Sequence, residues 1–113
     1  MADKSKGELL PGTLEVLILA MLRQQPLHGY AIAQRIYQES GNLLKAEEGS
    51  LYPALQRLLI EKWVSAKWGL SARNRKVRIY TITAAGRKQF SSQMEFMGRQ
   101  IDGLTRILRF SES

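Results

Sequence analysis

A short stretch near the middle of the chain combines side chains that can form hydrogen bonds with the edges of nucleic-acid bases. Tyr52, Gln56 and Arg57 supply a phenol, an amide and a guanidinium, which can reach base edges and phosphates in a DNA groove. Ser50 adds a hydroxyl, and Pro53 lies between these groups. The stretch therefore predicts a recognition helix that presents these five residues. The alternative is an ordinary amphipathic surface helix, which also carries polar groups on its outer face.

The leucines of the same stretch indicate how such a helix is held. They recur at i, i+4, i+7 and i+8, which places them on one face of a helix: Leu51, Leu55, Leu58 and Leu59. The start of the helix stays open. In one alternative Ser50 caps the helix and Pro53 lies in its first turn. In the other, Glu47 caps the helix and Pro53 lies one turn further in, where it removes a hydrogen bond and bends the helix axis. We expect the helix to end near Lys62.

Positive charge is concentrated in one segment of the sequence. The net charge of the 113 residues is +7, and no acidic residue occurs between Glu61 and Glu95. A block with one sign of charge favours a polyanionic partner, either nucleic acid or an anionic membrane. A membrane surface would favour basic residues on an amphipathic helix, whereas this segment has strand and turn character, so we predict double-stranded DNA. The basic residues of the segment are Lys62, Lys67, Arg73, Arg75, Lys76, Arg78, Arg87 and Lys88.

Composition argues against several other classes of protein. The length fits one domain, and the absence of cysteine excludes disulfides, thiolate metal sites and cysteine nucleophiles. The longest apolar run, residues 16–22, is too short to cross a bilayer and does not fit a signal peptide, so we expect a cytoplasmic protein with no membrane partner. His28 is the only histidine, and we expect it to form a hydrogen bond at a helix start. We predict no metal, no cofactor, no catalytic residue and no enzymatic activity.

The sequence before the leucine-rich stretch predicts two further helices. Pro11 suits the first turn of an opening helix that ends two or three residues before Pro26. Apolar residues lie on more than one side of this helix, so one side can face the core and another a second protomer. They are Leu14, Val16, Leu17, Ile18, Leu19, Ala20, Met21 and Leu22. A second helix is predicted over residues 29–40, ended by Gly41 and Asn42, which tolerate left-handed backbone angles.

After the leucine-rich stretch the apolar spacing changes to a period of two. Residues 64–68 and 77–83 alternate between apolar and polar side chains, which predicts two strands joined by a basic loop over residues 69–76. We expect the resulting β-hairpin to bind phosphates, together with Tyr30 and Gln34 of the second helix. A charged hairpin can also simply be solvated. The candidate residues of the hairpin are Arg73, Asn74, Arg75, Lys76 and Arg78.

A long last helix is predicted over residues 84–110, with Thr83 as its cap. Six apolar residues form a heptad seam, which is typical of helices that pair with a partner helix. They are Phe90, Met94, Met97, Ile101, Leu104 and Leu108. We predict a homodimer interface from this seam and from Leu14 and Leu17 of the first helix. The alternative is a helix that folds back on its own domain.

Three helices, a hairpin with a basic tip and a trailing helix describe a winged helix-turn-helix, which is mainly α with a two-stranded β-wing. In such folds the third helix enters the major groove and the wing contacts the DNA backbone or the minor groove. We predict a flexible N-terminus over residues 1–9, a DNA-binding domain over residues 10–83 and a C-terminal dimerisation helix over residues 84–113.

Several of these segments resemble the PadR-like family of transcriptional regulators, and in particular its small subgroup with a single C-terminal helix. The similar segments are GTLEVLILAML, HGYAIAQRI, EEGSLYPALQRL, the pair Trp68-Gly69 and ITAAG. The resemblance covers about residues 10–90. It implies a homodimeric cytoplasmic repressor that binds an inverted-repeat operator.

The resemblance also implies release of the repressor by a small hydrophobic effector. Some small members of the family bind flat hydrophobic compounds in a cleft at the dimer centre, between the first and last helices. The last helix here offers Met94, Phe96, Met97 and Ile101 rather than a tryptophan, and such a stripe is more often dimer core.

The alternative function is a winged-helix module that contacts protein instead of DNA, and the acid-free segment argues against it.

Overall fold

A computed structural model describes residue 9 and residues 12–113, and these residues form four helices and three strands. The helices are α1 (Thr13–Leu22), α2 (Gly29–Glu39), α3 (Glu48–Ile60) and α4 (Ala84–Glu112), and the strands are β1 (Leu27–His28), β2 (Val64–Leu70) and β3 (Lys76–Ile82). The predicted position of Pro11 in the first helix lies outside the described residues, as does the predicted flexible N-terminus apart from residue 9.

The strands form one antiparallel sheet in the order β1-β3-β2. β2 and β3 are the predicted hairpin, which we call the wing, and they pair from Val64 opposite Ile82 to Leu70 opposite Lys76. The prediction of a loop over residues 69–76 was wrong at both ends, because strand pairing continues to that last pair. The loop of the wing therefore contains only residues 71–75.

The sequence did not predict strand β1. Its two residues extend the sheet on the other side of β3, where Leu27 pairs with Tyr80 and His28 pairs with Ile79. Two residues are too few to show a period, so this strand has no signature of its own. Its consequence is that the start of α2 is fixed directly against the wing.

The ends of α2 follow the predicted signals. Nδ1 of His28 accepts a hydrogen bond from the backbone N–H of Ala31 at 3.4 Å, so the histidine caps the helix as predicted. Gly41 and Asn42 have φ angles of 66° and 65°, which confirms the predicted left-handed turn. The sole histidine of the chain therefore has a local structural role.

The start of α3 matches the second of the two alternatives from the sequence. Glu47 is the N-cap residue, and Pro53 lies inside the helix. Because proline has no N–H, α3 lacks one hydrogen bond at this point. Of the four leucines predicted on the inner face, Leu51, Leu55 and Leu58 are each no more than 1% exposed, and Leu59 is partly buried against the core. Packing of this face holds the helix.

A single apolar core extends from α1 to the first turns of α4. Its largest fully buried side chains are Ile18, Leu19, Leu22, Ile32, Leu51, Leu55 and Leu58. Helix α1 is buried on more sides than predicted, because Val16 and Leu19 are also covered by the rest of the chain. The sides of α1 that we assigned to a second protomer are therefore largely occupied within the chain.

Two residues of the predicted dimer interface belong to this core. Leu14 is 8% exposed and Phe90 is 5% exposed, and the guanidinium of Arg23 lies over the Phe90 ring at 5.2 Å. Both were placed at the interface because a repeat in sequence does not reveal which apolar partner covers each position. Leu17 and Met97 are partly buried against the same core.

The first turns of α4 are joined to the end of α3. Thr83 caps α4, as predicted: its hydroxyl accepts from the N–H of Gly86 at 3.0 Å and donates to the carbonyl of Lys62 at 2.8 Å. A Cβ atom at position 86 would lie 2.0 Å from the carbonyl oxygen of Trp63, so only glycine permits this approach. Beyond Met97 the apolar side chains are exposed: Ile101, Leu104, Ile107, Leu108 and Phe110.

Candidate nucleic-acid interface

An open cleft of about 870 Å³ lies between the start of α2, the outer face of α3 and the wing. Its lining combines guanidinium, amide and aromatic groups, and it includes no carboxylate. This composition suits contact with a polyanion, because nothing in the lining repels phosphate. The lining residues are His28, Gly29, Tyr30, Gln34, Tyr52, Gln56, Trp68, Ser71, Ala72, Arg73, Arg75, Val77, Arg78 and Tyr80.

Most of the predicted DNA-contacting residues are brought together in this cleft. Tyr30 and Gln34 project from α2, and Tyr52 and Gln56 project from α3, one turn apart on the same side of each helix. The wing adds its arginines, Arg73, Arg75 and Arg78. Three elements that are distant in sequence therefore contribute to one surface.

Four further predicted residues lie near the cleft without lining it. Ser50 and Pro53 are exposed on α3, and Asn74 is exposed at the tip of the wing with a left-handed φ of 61°. Lys76 is exposed at the start of β3, beside Trp68. All four are accessible for contact with a ligand that is larger than the cleft.

Arg57 is the exception among the predicted residues. Its Nε donates a hydrogen bond to Oε1 of Glu15 at 2.9 Å, and a second guanidinium nitrogen contacts the same oxygen. This pair lines a separate depression with Leu58, Ile60, Glu61 and Trp63, which shares no residue with the cleft. The structure therefore does not bring Arg57 together with Tyr52 and Gln56.

The charged side chains of the wing are arranged around an exposed indole. The Nζ atom of Lys76 lies 5.2 Å from the centre of the Trp68 ring, and the guanidinium of Arg78 lies 6.0 Å from it. Arg78 also lies 5.9 Å from the ring centre of Tyr80. Trp68 itself is 62% exposed, so the stacked cations remain accessible.

The loop of the wing has a defined conformation. The N–H of Ser71 donates to the carbonyl of Arg75 at 2.8 Å, and the N–H of Asn74 donates to the carbonyl of Ser71 at 2.9 Å. The hydroxyl of Ser71 accepts a third hydrogen bond, from the N–H of Arg75 at 3.2 Å. These bonds hold the basic residues of the tip on one short turn.

Close packing at the floor of the cleft fixes the ring of Tyr52. A Cβ atom at Gly29 would lie 3.0 Å from both Cε1 and Oη of Tyr52, so the ring occupies the space that the glycine leaves. Burial raises the pKa of the neighbouring Tyr80, with the nearby Arg78 acting in the opposite direction and Tyr52 adding to the rise. Tyr80 is therefore a neutral phenol at physiological pH.

Sequence reasoning missed several residues of the cleft. Trp68 and Tyr80 could have been found from strand alternation, because Tyr80 lies on the same face of β3 as Arg78, and Trp68 pairs directly with Arg78. His28 and Gly29 gave no such signal, since they reach the cleft only through the pairing of β1 with β3. Ser71, Ala72 and Val77 were also missed.

The sequence matches a known family over most of its length. The model of the transcriptional regulator PadR-like family matches residues 18–92, which is more than half of the chain. The chain belongs to this family. It is therefore a transcriptional regulator of the PadR-like family, as the sequence predicted, and the predicted winged-helix architecture is confirmed by the fold.

Solved structures of two other regulators have a similar fold. A transcriptional regulator from Clostridium thermocellum superposes with a TM-score of 0.75 over 84% of this chain and 92% of its own, at 23% identity, which supports the fold alone. A PadR-like transcriptional regulator from Bacillus cereus superposes with a TM-score of 0.72 over 86% of this chain and 92% of its own, at 27% identity.

A third relative has been solved with its DNA. PadR of Bacillus subtilis, described as a negative transcriptional regulator, is 28% identical over 76 residues, which are 67% of this chain and 42% of that protein. Its structure in complex with operator DNA superposes with a TM-score of 0.64 at 26% identity, over 73% of this chain and 47% of that one. The present chain thus spans less than half the length of this relative.

Among the described residues we find no candidate metal-binding site and no candidate membrane-spanning helix. No group of three or more His, Asp or Glu side chains is close enough to hold a metal ion in the part of the chain that the structure describes. Within the same residues, no helix is both long and apolar enough to cross a bilayer.

Proposed function

We propose that this regulator binds an inverted-repeat operator in double-stranded DNA as a homodimeric repressor. The observation that carries the proposal is the cleft itself, in which the outer face of α3, the start of α2 and a basic wing form one surface lined by no carboxylate. In winged helix-turn-helix proteins the same three elements contact the duplex. The related PadR of Bacillus subtilis, solved with operator DNA, supports the proposal. Operator binding implies action in the cytoplasm and requires no catalytic group.

In this proposal, phosphate contacts supply binding affinity and a base contact supplies sequence specificity. Arg73, Arg75, Lys76 and Arg78 bind phosphates and supply affinity that is independent of sequence, because phosphates carry no sequence information. Gln56 reads a base edge in the major groove, where an amide can bind adenine through two hydrogen bonds. The remaining contacts of α2 and α3 position the helix on the duplex: Tyr30, Gln34, Ser50, Tyr52 and Pro53.

The dimer in this proposal is formed by the exposed part of α4. Met94, Ile101, Leu104 and Leu108 are each more than half exposed along one seam of the helix, and a seam of this kind packs against a copy of itself. The other two residues assigned to the interface, Leu17 and Met97, are partly buried against the core of the same chain. Pairing would place two recognition helices on half-sites about one helical turn apart.

Release by a small hydrophobic effector belongs to the proposal through the family resemblance. In a dimer paired through α4, the side chains of this helix that could line such a space are Met94, Phe96, Met97 and Ile101. The same residues could equally form the dimer core, so their substitution would not by itself reveal an effector site. An effector is instead recognised by a loss of operator binding when the compound is added.

Selection of bound duplexes from a random pool tests DNA recognition. We expect the selected sequences to contain an inverted repeat, and binding to weaken steeply with salt, with a slope of about 0.9 for each phosphate neutralised. A winged helix that contacts only protein would select no sequence and show no such slope.

Two substitutions test the division between base and phosphate contacts. Gln56→Ala should relax the sequence preference by about 1–3 kcal/mol of discrimination, with little change in binding to random duplex. Arg75→Ala should weaken binding to selected and random duplexes alike and lower the salt slope by about 2 for a dimer, because each protomer loses one phosphate contact. Gel-shift titrations in which both variants bind like the parent protein would show that this division is wrong.

A further inference from the structure

The ion pair between Arg57 and Glu15 joins the recognition helix to α1. Nε of Arg57 donates to Oε1 of Glu15 at 2.9 Å, and a second guanidinium nitrogen contacts the same oxygen. The Glu15 side chain is only 24% exposed, whereas that of Arg57 is 59% exposed. The glutamate therefore acts as a fixed anchor, and the arginine reaches across to it.

This pair lies on a different side of α3 from the cleft. Successive helix residues differ by about 100°, so Gln56 and Arg57 cannot face the same surface. Gln56 lines the cleft, while Arg57 and Glu15 line the separate depression beside Trp63. Arg57 is thus held away from the surface that we propose to face DNA.

Among the described residues, no other side-chain hydrogen bond or ion pair joins α3 to another element. Leu51, Leu55 and Leu58 pack it against the core, and apolar packing depends on area more than on angle. Pro53 also removes one hydrogen bond from the helix. A guanidinium–carboxylate contact, in contrast, has a preferred geometry and so favours one rotation of a helix relative to its neighbour.

We propose that Arg57 is a positioning residue, which sets the orientation of α3 against α1 through Glu15 and thereby aims Gln56 at its base. An exposed ion pair contributes little to stability, so its effect is expected on sequence preference more than on folding. This inference rests on the proposed function, because it concerns the same DNA surface. It assigns Arg57 a role other than reading a base.

Neutral variants of the two partners test whether Arg57 acts through Glu15. Glu15→Gln and Arg57→Gln should each lower the ratio of operator affinity to random-duplex affinity by about two- to fivefold, the range that an exposed ion pair can account for. The double variant should lose no more than either single variant. If Arg57→Gln lowers the ratio and Glu15→Gln does not, Arg57 contacts DNA directly and the inference is wrong. It is also wrong if neither variant changes the ratio.

Exchange of the two charges gives the sharper test. Arg57→Glu should lower operator affinity, and the exchange Glu15→Arg with Arg57→Glu should restore it to within about twofold, because the pair re-forms with opposite polarity. A carboxylate at position 57 would still repel phosphate if this position faced DNA. An exchange variant that binds as poorly as Arg57→Glu therefore overturns the proposal.

An ion pair within α4 provides a control for the change in net charge that Arg57→Glu causes. Arg99 and Glu95 form an ion pair along α4. Arg99→Glu changes the net charge by the same amount as Arg57→Glu, but it breaks no contact between helices, so it should lower affinity for operator and random duplex equally. Parent protein that selects no sequence would contradict the proposed function. Normal selection by the parent with no rescue by the exchange would contradict only the role of Arg57.

Discussion

Gly86 shows how one residue can decide whether two elements meet. Its missing side chain lets the start of α4 approach the carbonyl oxygen of Trp63, to which a Cβ atom would come within 2.0 Å. Backbone atoms at this position cannot move aside as a flexible side chain could. The sequence shows a glycine near a helix start, but it does not show which backbone lies against it.

We expect Gly86→Ala to lower the free energy of unfolding by about 1–3 kcal/mol or more, because the new methyl group overpacks the junction. The matched control is Gly103→Ala in the same helix, where a Cβ atom meets nothing within 4 Å. That change should raise stability by up to about 1 kcal/mol, since alanine favours helix more than glycine does. Urea unfolding of both variants at one protein concentration measures the difference, and equal effects would contradict this explanation.

Site residues could be predicted from the sequence where their spacing along one helix places them on the same face. Tyr52 and Gln56 lie four residues apart on a helix, and the structure places both in the cleft. Arg57 could not be placed in the same way, because its partner Glu15 is 42 residues away. Periodicity in sequence identifies a face of a helix, but it does not identify what covers that face.

At the scale of elements, helices with strong end signals were predicted well. The N-cap at Thr83 and the left-handed turn at Gly41 both follow from local chemistry. The start of α3 stayed open between Glu47 and Ser50, and the structure begins the helix after Glu47, whose side chain makes no capping hydrogen bond. A start without a side-chain cap leaves no local signal in the sequence. Strand β1 depends entirely on pairing with β3, so local sequence could not reveal it.

The junction between α3 and α4 depends on the side chain of Thr83. Its hydroxyl both caps α4 and donates to the carbonyl of Lys62. We expect Thr83→Ala to lower the free energy of unfolding by about 1 kcal/mol, because a cap is lost. Thr83→Ser keeps the hydroxyl and should stay close to the parent in chemical denaturation. A serine variant as unstable as the alanine variant would assign the effect to the methyl group instead.

At the scale of the whole molecule, α4 extends beyond the domain that it starts in. Its 29 residues span about 44 Å, and the chain measures 54 Å along its longest axis. Phe90 belongs to the core of the winged helix, whereas Leu104 and Leu108 are exposed. The first turns of α4 thus complete the domain, and its later turns leave an apolar seam uncovered within the chain.

Leu104→Asp should convert a dimer into monomers and lower operator affinity strongly, because it places a charge in the seam. Ser92→Asp is the matched control, since it adds the same charge on the exposed outer side of the same helix. Molar mass in solution, measured over a range of concentrations, distinguishes the two variants. A Leu104→Asp protein that remains fully dimeric would show that the seam lies elsewhere.

The indole of Trp68 affects how much side-chain entropy the wing loses when it binds a partner. Lys76 and Arg78 rest against this ring through contacts made within the chain itself. A long cationic side chain that is immobilised on binding usually costs about 0.5–1.5 kcal/mol of rotamer freedom. Because part of that freedom is given up during folding, the wing is preorganised, and an incoming anion meets charges whose positions are largely set beforehand.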